Sequence, residues 1–328
     1  MTVLVIGQRG QVASSLADLQ QSRDIRIVTM GRPAIDLLQP ATVTGALETL
    51  KPDIVVNTAA YTAVDKAESE RELAFAINAD GPAHLGAACA ARGIPIIHLS
   101  TDYVYDGKKA SPYIETDAVR PLSVYGASKL AGEQRLASAN PTHIILRTAW
   151  VHSPFGQNFV KTMLRLGATR SHINVVADQL GNPTYASHLA EAILAIASRI
   201  IDAPAGDTRW GVYHVVNKGD TTWFGLAEEV FRRASGYYGY PNPVLQPIPT
   251  VEFPTPAERP ANSRLDTSKL QQTFGLAMAS WNEGVADCLQ LLAGRTGGTL
   301  AWWRERQLES SVPRRHAQKP RDLRTHTD

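Results

Sequence analysis

The chain of 328 residues has only two cysteines, Cys89 and Cys288, so a disulfide framework is not expected. Each reads as a small apolar filler in a helical stretch, and a reducing, cytoplasmic setting is expected. No apolar run reaches the ~20 residues of a membrane-spanning helix. The sequence opens on an apolar strand with no charged leader, so no signal peptide is expected. Charge of one sign is lacking as well: 33 Lys and Arg face 31 Asp and Glu, a net charge of +2, which argues against a general nucleic-acid binder. The nine histidines have no close ligand spacing, so no structural metal is expected. There is no internal repeat. A hydrophobic share of 44% suffices for a full core, and the length suits one large domain with a smaller lobe.

The amino terminus carries the first motif. Thr2-Val3-Leu4-Val5-Ile6 is a short apolar run that suits a buried parallel strand. Gly7-Gln8-Arg9-Gly10-Gln11-Val12-Ala13 follows, and a helix-compatible segment runs from Ser14 to Gln20. Strand, glycine turn and helix start form the context of a dinucleotide fingerprint. Gly7 permits the turn, Gly10 lets the backbone approach a pyrophosphate, and the helix amino terminus offers N–H groups to the anion. Ala13 takes the third small position.

A second strand, Ile25 to Thr29, is followed by Met30-Gly31-Arg32. An acid at this place binds a ribose 2′-hydroxyl, whereas an Arg suits a 2′-phosphate. Arg32 therefore predicts NADPH, with NADH still open. Asp36-Leu37 lies where the chain would pass the adenine. Asp53 to Asn57, then Thr58-Ala59-Ala60-Tyr61, forms another strand and loop, with small residues that leave room for a ribose. The run Ile94 to Leu99 ends in Ser100-Thr101-Asp102, which would sit at a strand's carboxyl end, where open parallel sheets bind ligands. Thr101 is then placed to bond a reacting oxygen, while Ser100 reads as an ordinary polar strand end.

Tyr125-Gly-Ala-Ser-Lys129-Leu-Ala-Gly-Glu133 is the most informative stretch. It is rich in helix formers and free of proline, so Tyr125 and Lys129 share one face about a turn apart. A phenol titrates near ~10, and a neighbouring cation lowers that value. The pair reads as a tuned proton donor for a carbonyl oxygen. Tyr105 and Lys109 have the same spacing, but Asp106-Gly107 between them reads as a turn.

Together these motifs resemble the extended short-chain dehydrogenase/reductases, and within them the dTDP-4-dehydrorhamnose reductases. That narrower resemblance is carried by Ala59 to Glu68, Ser100 to Gly107, Pro121 to Gly126, Arg147 to Val151, Asn158 to Leu164, Asp178 to Thr184 and Pro254 to Leu265, and it runs from residue 1 to about residue 292. It implies Thr101, Tyr125 and Lys129 as the catalytic set, with Lys129 also holding the nicotinamide ribose. It implies Gly7, Gly10, Gln11 and Val12 around the pyrophosphate, and Asp36, Leu37, Ala59, Ala60 and Tyr61 along the rest of the cofactor. Asp102 and Trp150 would meet the sugar nucleotide. Arg259, Asn262 and Ser263 are candidates for its diphosphate, since Arg grips phosphate oxygens in a fork; surface pairing of Arg259 with an acid is the other reading. The implied reaction is NADPH-dependent reduction of a dTDP-4-keto sugar. Some members of the family are dimers bridged through a metal by glutamates. Ser15 and Ser187 fall at two of those places, and hydroxyls are poor ligands for a hard cation. A homodimer stays open, whereas a bridging magnesium ion is not expected. Dehydratases of this fold follow the Thr with Asp-Glu, and here Tyr103 follows Asp102. A reductase of another deoxysugar and a non-catalytic regulatory subunit remain as alternatives.

The expected architecture is α/β, a doubly wound parallel sheet of Rossmann type with a smaller α/β substrate lobe. Residues 1–150 form the dinucleotide-binding domain, joined by about 182–205, where Leu189, Ile193, Leu194 and Ile196 make an apolar helical stripe. Residues 151–181 and 206–294 form the substrate lobe. Tyr213 to Val216 suits a strand, and the proline-rich stretch from Tyr240 to Pro260 reads as a loop over a cleft. The segment 295–328 has eight basic residues against four acids and reads as a disordered tail.

Overall fold

The apolar amino-terminal strand has side chains that divide cleanly between two faces. In the computed structural model, which describes residues 1–20, 25–238 and 242–296, β1 (Thr2–Ile6) sends Val3 and Val5 to one side and Leu4 and Ile6 to the other, all buried. Burial on both faces is what a continuous apolar strand requires, because helices cover a parallel sheet on both sides. β1 pairs in parallel with β2 (Arg26–Met30) and β3 (Ile54–Asn57). β4 (Ile96–Thr101) and β5 (His143–Thr148) extend the sheet beyond β3, and β7 (Gly211–His214) closes it. The order is β7-β5-β4-β3-β1-β2, six parallel strands with the chain reversing direction between β1 and β3.

On one face, α1 (Gln11–Leu19) packs beside α6 (Ala186–Ile200), whose Leu189, Ile193, Leu194 and Ile196 are all fully buried. On the other lie α2 (Pro40–Leu50), α3 (Gly81–Ala90) and α4 (Val124–Ala139). Cys89 in α3 and Cys288 are buried free thiols. Ser123 caps α4 by accepting the Gly126 N–H at 3.2 Å. Pro141 stands just beyond its end, and the residue before a proline leaves the helical region, as Asn140 does here.

A separate apolar cluster joins α5 (Phe159–Gly167), β6 (His172–Val176), α7 (Trp223–Tyr238) and α9 (Trp281–Thr296). This is the smaller lobe. Four expectations need correction. α1 begins at Gln11 rather than Ser14, directly after Gly10. Residues 206–294 do not all belong to the lobe: β7 completes the main sheet beside β5, and α8 (Ser268–Phe274) buries Leu270 and Phe274 in the core of that sheet. The open edge of β5 needs a partner, and β7 supplies it. The proline-rich stretch contains a strand, β8 (Val244–Ile248), in parallel with β6. Pro247 is tolerated there because a two-stranded sheet is all edge. Finally, α9 runs through Thr296, and Arg295 pairs with Asp18 on α1 at 2.7 Å. Residues 297–328 of the expected tail lie outside the described residues.

Candidate active site

The carboxyl ends of β1 to β4 form one edge of the sheet, and the reversal between β1 and β3 opens a crevice there. Gly7 turns the chain at φ +133, where a side chain would meet the Thr58 hydroxyl, and its N–H donates to the Met30 carbonyl at 2.7 Å. Gly10 faces open space: nothing lies within 4 Å of where a Cβ would be. Ser14 N–H is the first to bond back into α1, at the Gly10 carbonyl, so the helix start presents the N–H groups of Gln11, Val12 and Ala13 without helical partners. Open backbone and free donors at a helix start fit a dinucleotide's pyrophosphate. The Gln11 side chain works differently: it bonds the Val151 carbonyl at 3.1 Å and accepts from Ser153 and Asn158, both at 2.9 Å, so it braces the turn against the next loop.

Arg32 is exposed just past the end of β2, with no ion pair among the described residues. Asp36 accepts the Leu38 N–H at 3.0 Å in an Asx turn, and Leu37 is buried. Ala59, Ala60 and Tyr61 follow β3 in an irregular loop. Asn78 pins that loop by accepting the Tyr61 N–H at 2.8 Å and donating to its carbonyl at 3.0 Å, while the same amide donates to Ser128 of α4 at 2.9 Å. The cofactor loop and the helix of Tyr125 therefore share one amide.

Thr101 ends β4 and Tyr125 stands in the first turn of α4 beside it. Thr101 donates to Asp102 Oδ1 at 2.9 Å and accepts the Tyr103 N–H at 3.2 Å. Tyr103 stands edge-on to Tyr125, ring centres 5.6 Å apart. Burial pushes the Tyr125 phenol up to about 12, against a smaller opposing pull from the Thr101 hydroxyl. Burial likewise raises Asp102 to about 6; its Oδ1 is bonded, but its Oδ2 is buried without a hydrogen-bond partner. Lys129 is buried too, and desolvation lowers it to about 8 against the attraction of Glu133. The expectation that Lys129 depresses the phenol is not met here. Its Nζ turns back to β4, donating to the Leu99 carbonyl at 2.6 Å, with His98 Nε2 at 3.4 Å. Ser100 is structural, as expected: it donates to Glu133, which also receives Arg147 of β5. That buried pair ties α4 to the sheet, and breaking such a pair costs about 3–5 kcal/mol.

A cavity of about 850 Å³ opens between this edge and the smaller lobe. Tyr103, Phe159, Gln179, Trp223, Phe253 and Arg259 are among its walls. Of the expected substrate residues, only Arg259 lines it. One guanidinium nitrogen of Arg259 pairs with Asp65 at 2.8 Å, while its buried Nη1 has no hydrogen-bond partner. Trp150 follows β5 at φ +47 and stacks flat on Trp223, centres 3.5 Å apart, so it backs the wall. Gly181 makes this possible: an added Cβ would come within 2.4 Å of the Trp150 indole. Trp223 is in turn fixed by donating to Gln179 at 3.1 Å. Asn262 is spent elsewhere, bonding Ser111, Lys109 and Arg264 in the loops. Ser263 leans on the Leu180 carbonyl at 3.3 Å. Ser15 is buried on α1 and Ser187 half-buried on α6, and no cluster of metal-ligating side chains occurs among the described residues. Sequence reading gave no site role to Trp223 and Phe253, whose local pattern carries no signal, nor to Gln179, although it lies in the Asp178 to Thr184 motif. It also missed His98 and Asn57, which a polar residue inside each apolar strand does signal.

Comparison with known proteins agrees with this geometry. The family profile described as the RmlD substrate binding domain matches residues 1–293. The chain is 50% identical over 283 residues to a dTDP-4-dehydrorhamnose reductase of Sinorhizobium fredii, covering 86% of this chain and 95% of that one. It is similar to the crystal structure of a dTDP-4-dehydrorhamnose reductase from Clostridium acetobutylicum, with a TM-score of 0.81, 37% identity, and 89% and 99% of the two chains covered. A dTDP-4-dehydrorhamnose reductase from Bacillus anthracis, solved in complex with NADP, matches with a TM-score of 0.79 and 35% identity over 88% of this chain and 98% of the other.

Proposed function

We propose a function for this chain from a fixed premise: it belongs to the RmlD substrate binding domain family, together with the dTDP-4-dehydrorhamnose reductases it matches. The reaction is reduction of the 4-keto group of dTDP-4-dehydro-6-deoxy-L-mannose to give dTDP-L-rhamnose, with NADPH as reductant. The cofactor supplies a hydride to the sugar carbonyl carbon. Everything else is done by the chain. The open turn at Gly10 and the start of α1 hold the pyrophosphate, and Arg32 meets the 2′-phosphate. Tyr125 gives its proton to the oxygen that becomes the new hydroxyl. Its raised proton affinity keeps the phenol protonated until that oxygen gains charge. Lys129, if charged and turned from the Leu99 carbonyl toward Tyr125, would favour the phenolate left behind.

Thr101 has one hydroxyl proton, and it points at Asp102. To bond the reacting oxygen it must leave that carboxylate, which then needs another donor. A sugar hydroxyl would meet that need, and Asp102 Oδ2, which has no hydrogen-bond partner, would be a second acceptor for it. Arg259, whose buried Nη1 has no hydrogen-bond partner, would bind the diphosphate.

The observation that carries this reading is Tyr103, which lines the 850 Å³ cavity with one ring that also stands 5.6 Å from the Tyr125 ring. Tyr125 does not itself line the cavity, and its contact with Tyr103 supports reading the two as one site. Two unpaired, buried cysteines suit a cytoplasmic enzyme, and no helix among the described residues is long and apolar enough to cross a membrane. The test is NADPH consumption by the purified protein with the dTDP-4-keto-L-sugar generated in situ, and NMR identification of the product. dTDP-L-rhamnose is expected; NADPH binding without consumption contradicts the proposal.

A further inference from the structure

His98 lies inside β4, three residues before Thr101, and is fully buried. A buried imidazole needs an account of both ring nitrogens. On one side, Asn57 at the end of β3 presents Nδ2 to His98 Nδ1 at 3.0 Å. That amide cannot be turned around without loss, because its Oδ1 already accepts the Ala59 N–H at 3.1 Å. An NH2 group facing Nδ1 makes Nδ1 the acceptor. The ring proton therefore sits on Nε2. On the other side, Nε2 faces Lys129 Nζ at 3.4 Å, and that nitrogen donates to the Leu99 carbonyl at 2.6 Å.

The bonds run in one direction. Ala59 N–H donates to Asn57, Asn57 to His98, His98 to Lys129, and Lys129 to Leu99. A neutral amine completes this chain, since its lone pair accepts the Nε2–H while one of its own protons goes to Leu99. An ammonium in the same place has no lone pair and meets an N–H dipole head on. Glu133 on α4 acts the other way, but its carboxylate is shared with Arg147 from β5 and Ser100 from β4. Asn57, the contribution of β3, is uncharged.

We propose that His98, its tautomer fixed by Asn57, is a positioning residue that holds the Lys129 nitrogen against the Leu99 carbonyl and favours its neutral amine form. Burial works in the same direction, lowering Lys129 to about 8 and His98 well below the ordinary imidazole range, so the ring itself stays uncharged. The charge of the site's one buried lysine on α4 then depends on pH near neutrality instead of being permanent. Ala59 belongs to the loop assigned to the cofactor, so the same chain of bonds ties that loop to the catalytic amine. This inference rests on the reductase reading of the site.

The test has two arms. Long-range proton–nitrogen NMR of the full-length protein, labelled in its histidine rings, reads the tautomer directly. The expected spectrum has a His98 ring protonated at Nε2 and bare at Nδ1; a ring protonated at Nδ1 overturns the proposal. The second arm is the pH profile of kcat/KM. Asn57→Asp keeps an acceptor for Ala59 but offers its other oxygen to Nδ1, drawing the ring proton there and making Nε2 an acceptor. The alkaline limb is expected to move up by about one pH unit, a tenfold change in proton affinity. His98→Met removes the ring N–H and moves the limb the same way. His98→Gln, which keeps a donor toward Lys129 and an acceptor toward Asn57, leaves it near the wild type. An unmoved limb in folded Asn57→Asp and His98→Met proteins overturns the proposal. Should the wild type fail to reduce the dTDP-4-keto sugar, the reductase reading falls, and the ring spectrum still decides the assignment of His98.

Discussion

Thr101 donates its only hydroxyl proton to Asp102 Oδ1 at 2.9 Å, while the second oxygen of that buried carboxylate has no hydrogen-bond partner. A half-satisfied acid at a ligand site is a cost to the fold that substrate can relieve. Asp102 is raised by burial to about 6, above its ordinary 3.8, so the folded protein holds the proton more tightly than the unfolded chain. The carboxylate therefore costs stability above pH ~6 and nothing below ~3.8, where both states are protonated. Asp102→Asn is expected to stabilise the protein by on the order of 1–3 kcal/mol at pH 8, with the gain vanishing near pH 4. The same variant should lose sugar-nucleotide affinity. Thermal unfolding at the two pH values checks the first claim, and KM the second.

Lys129 is proposed to set the alkaline limit of activity. Its proton affinity is lowered by desolvation to about 8, so it is charged below that pH and neutral above it. If charged Lys129 leaves the Leu99 carbonyl and turns to Tyr125 during the reaction, it favours loss of the phenol proton, and kcat/KM is then expected to fall as pH rises through about 8. Stability should run the opposite way. Between about 8 and the ordinary lysine value of 10.5 the unfolded chain binds the extra proton, so unfolding becomes harder as pH rises across that window. Lys129→Met should abolish the activity limb while leaving the protein folded.

Gly181 is placed to hold the cavity wall. A methyl group there would intrude on the Trp150 indole, which is stacked on Trp223. Gly181→Ala is expected to raise the KM for the sugar nucleotide about tenfold or more, since overpacking costs ~1–3 kcal/mol. NADPH affinity should not change, because the glycine turn at Gly7 to Gly10 lies elsewhere. Equal losses for both ligands would contradict that division of the site.

Most of the sheet was legible because buried parallel strands read as apolar runs, as β1 does and as β3 and β4 do up to Asn57 and His98. The proposed catalytic residues Tyr125 and Lys129 lie on one helix, α4, as their spacing implied. What spacing does not encode is where a long side chain goes: Lys129 folds back to Leu99 instead of pointing along the helix face to Tyr125. A strand was legible at Tyr213 to Val216, two residues beyond the start of β7 at Gly211–His214, but its partner was not, since pairing with β5 is decided across more than sixty residues. Pro247 concealed β8 because proline argues against a strand except at an edge. The cavity wall was the least legible part. Trp223 and Phe253 come from segments whose local pattern is that of any amphipathic helix or loop, and only packing of the smaller lobe brings them to Tyr103.

Arg32, exposed beyond β2 and without an ion pair among the described residues, is the residue proposed to select the cofactor. Arg32→Ala is expected to raise the KM for NADPH about tenfold or more, as loss of a charge-assisted phosphate contact does. The KM for NADH should hardly move. Parallel kinetics with the two cofactors check this, and an equal effect on both would remove Arg32 from the 2′-phosphate.

The most direct test of the account is turnover of the dTDP-4-keto-L-sugar by the wild type and by Tyr125→Phe, with NADPH binding measured on both. The wild type should form dTDP-L-rhamnose. The variant should bind NADPH with unchanged affinity and turn over about 10²–10⁴ times more slowly, the usual scale for losing a positioned proton donor. A variant that works at close to the wild-type rate would contradict the assignment of Tyr125 as the acid.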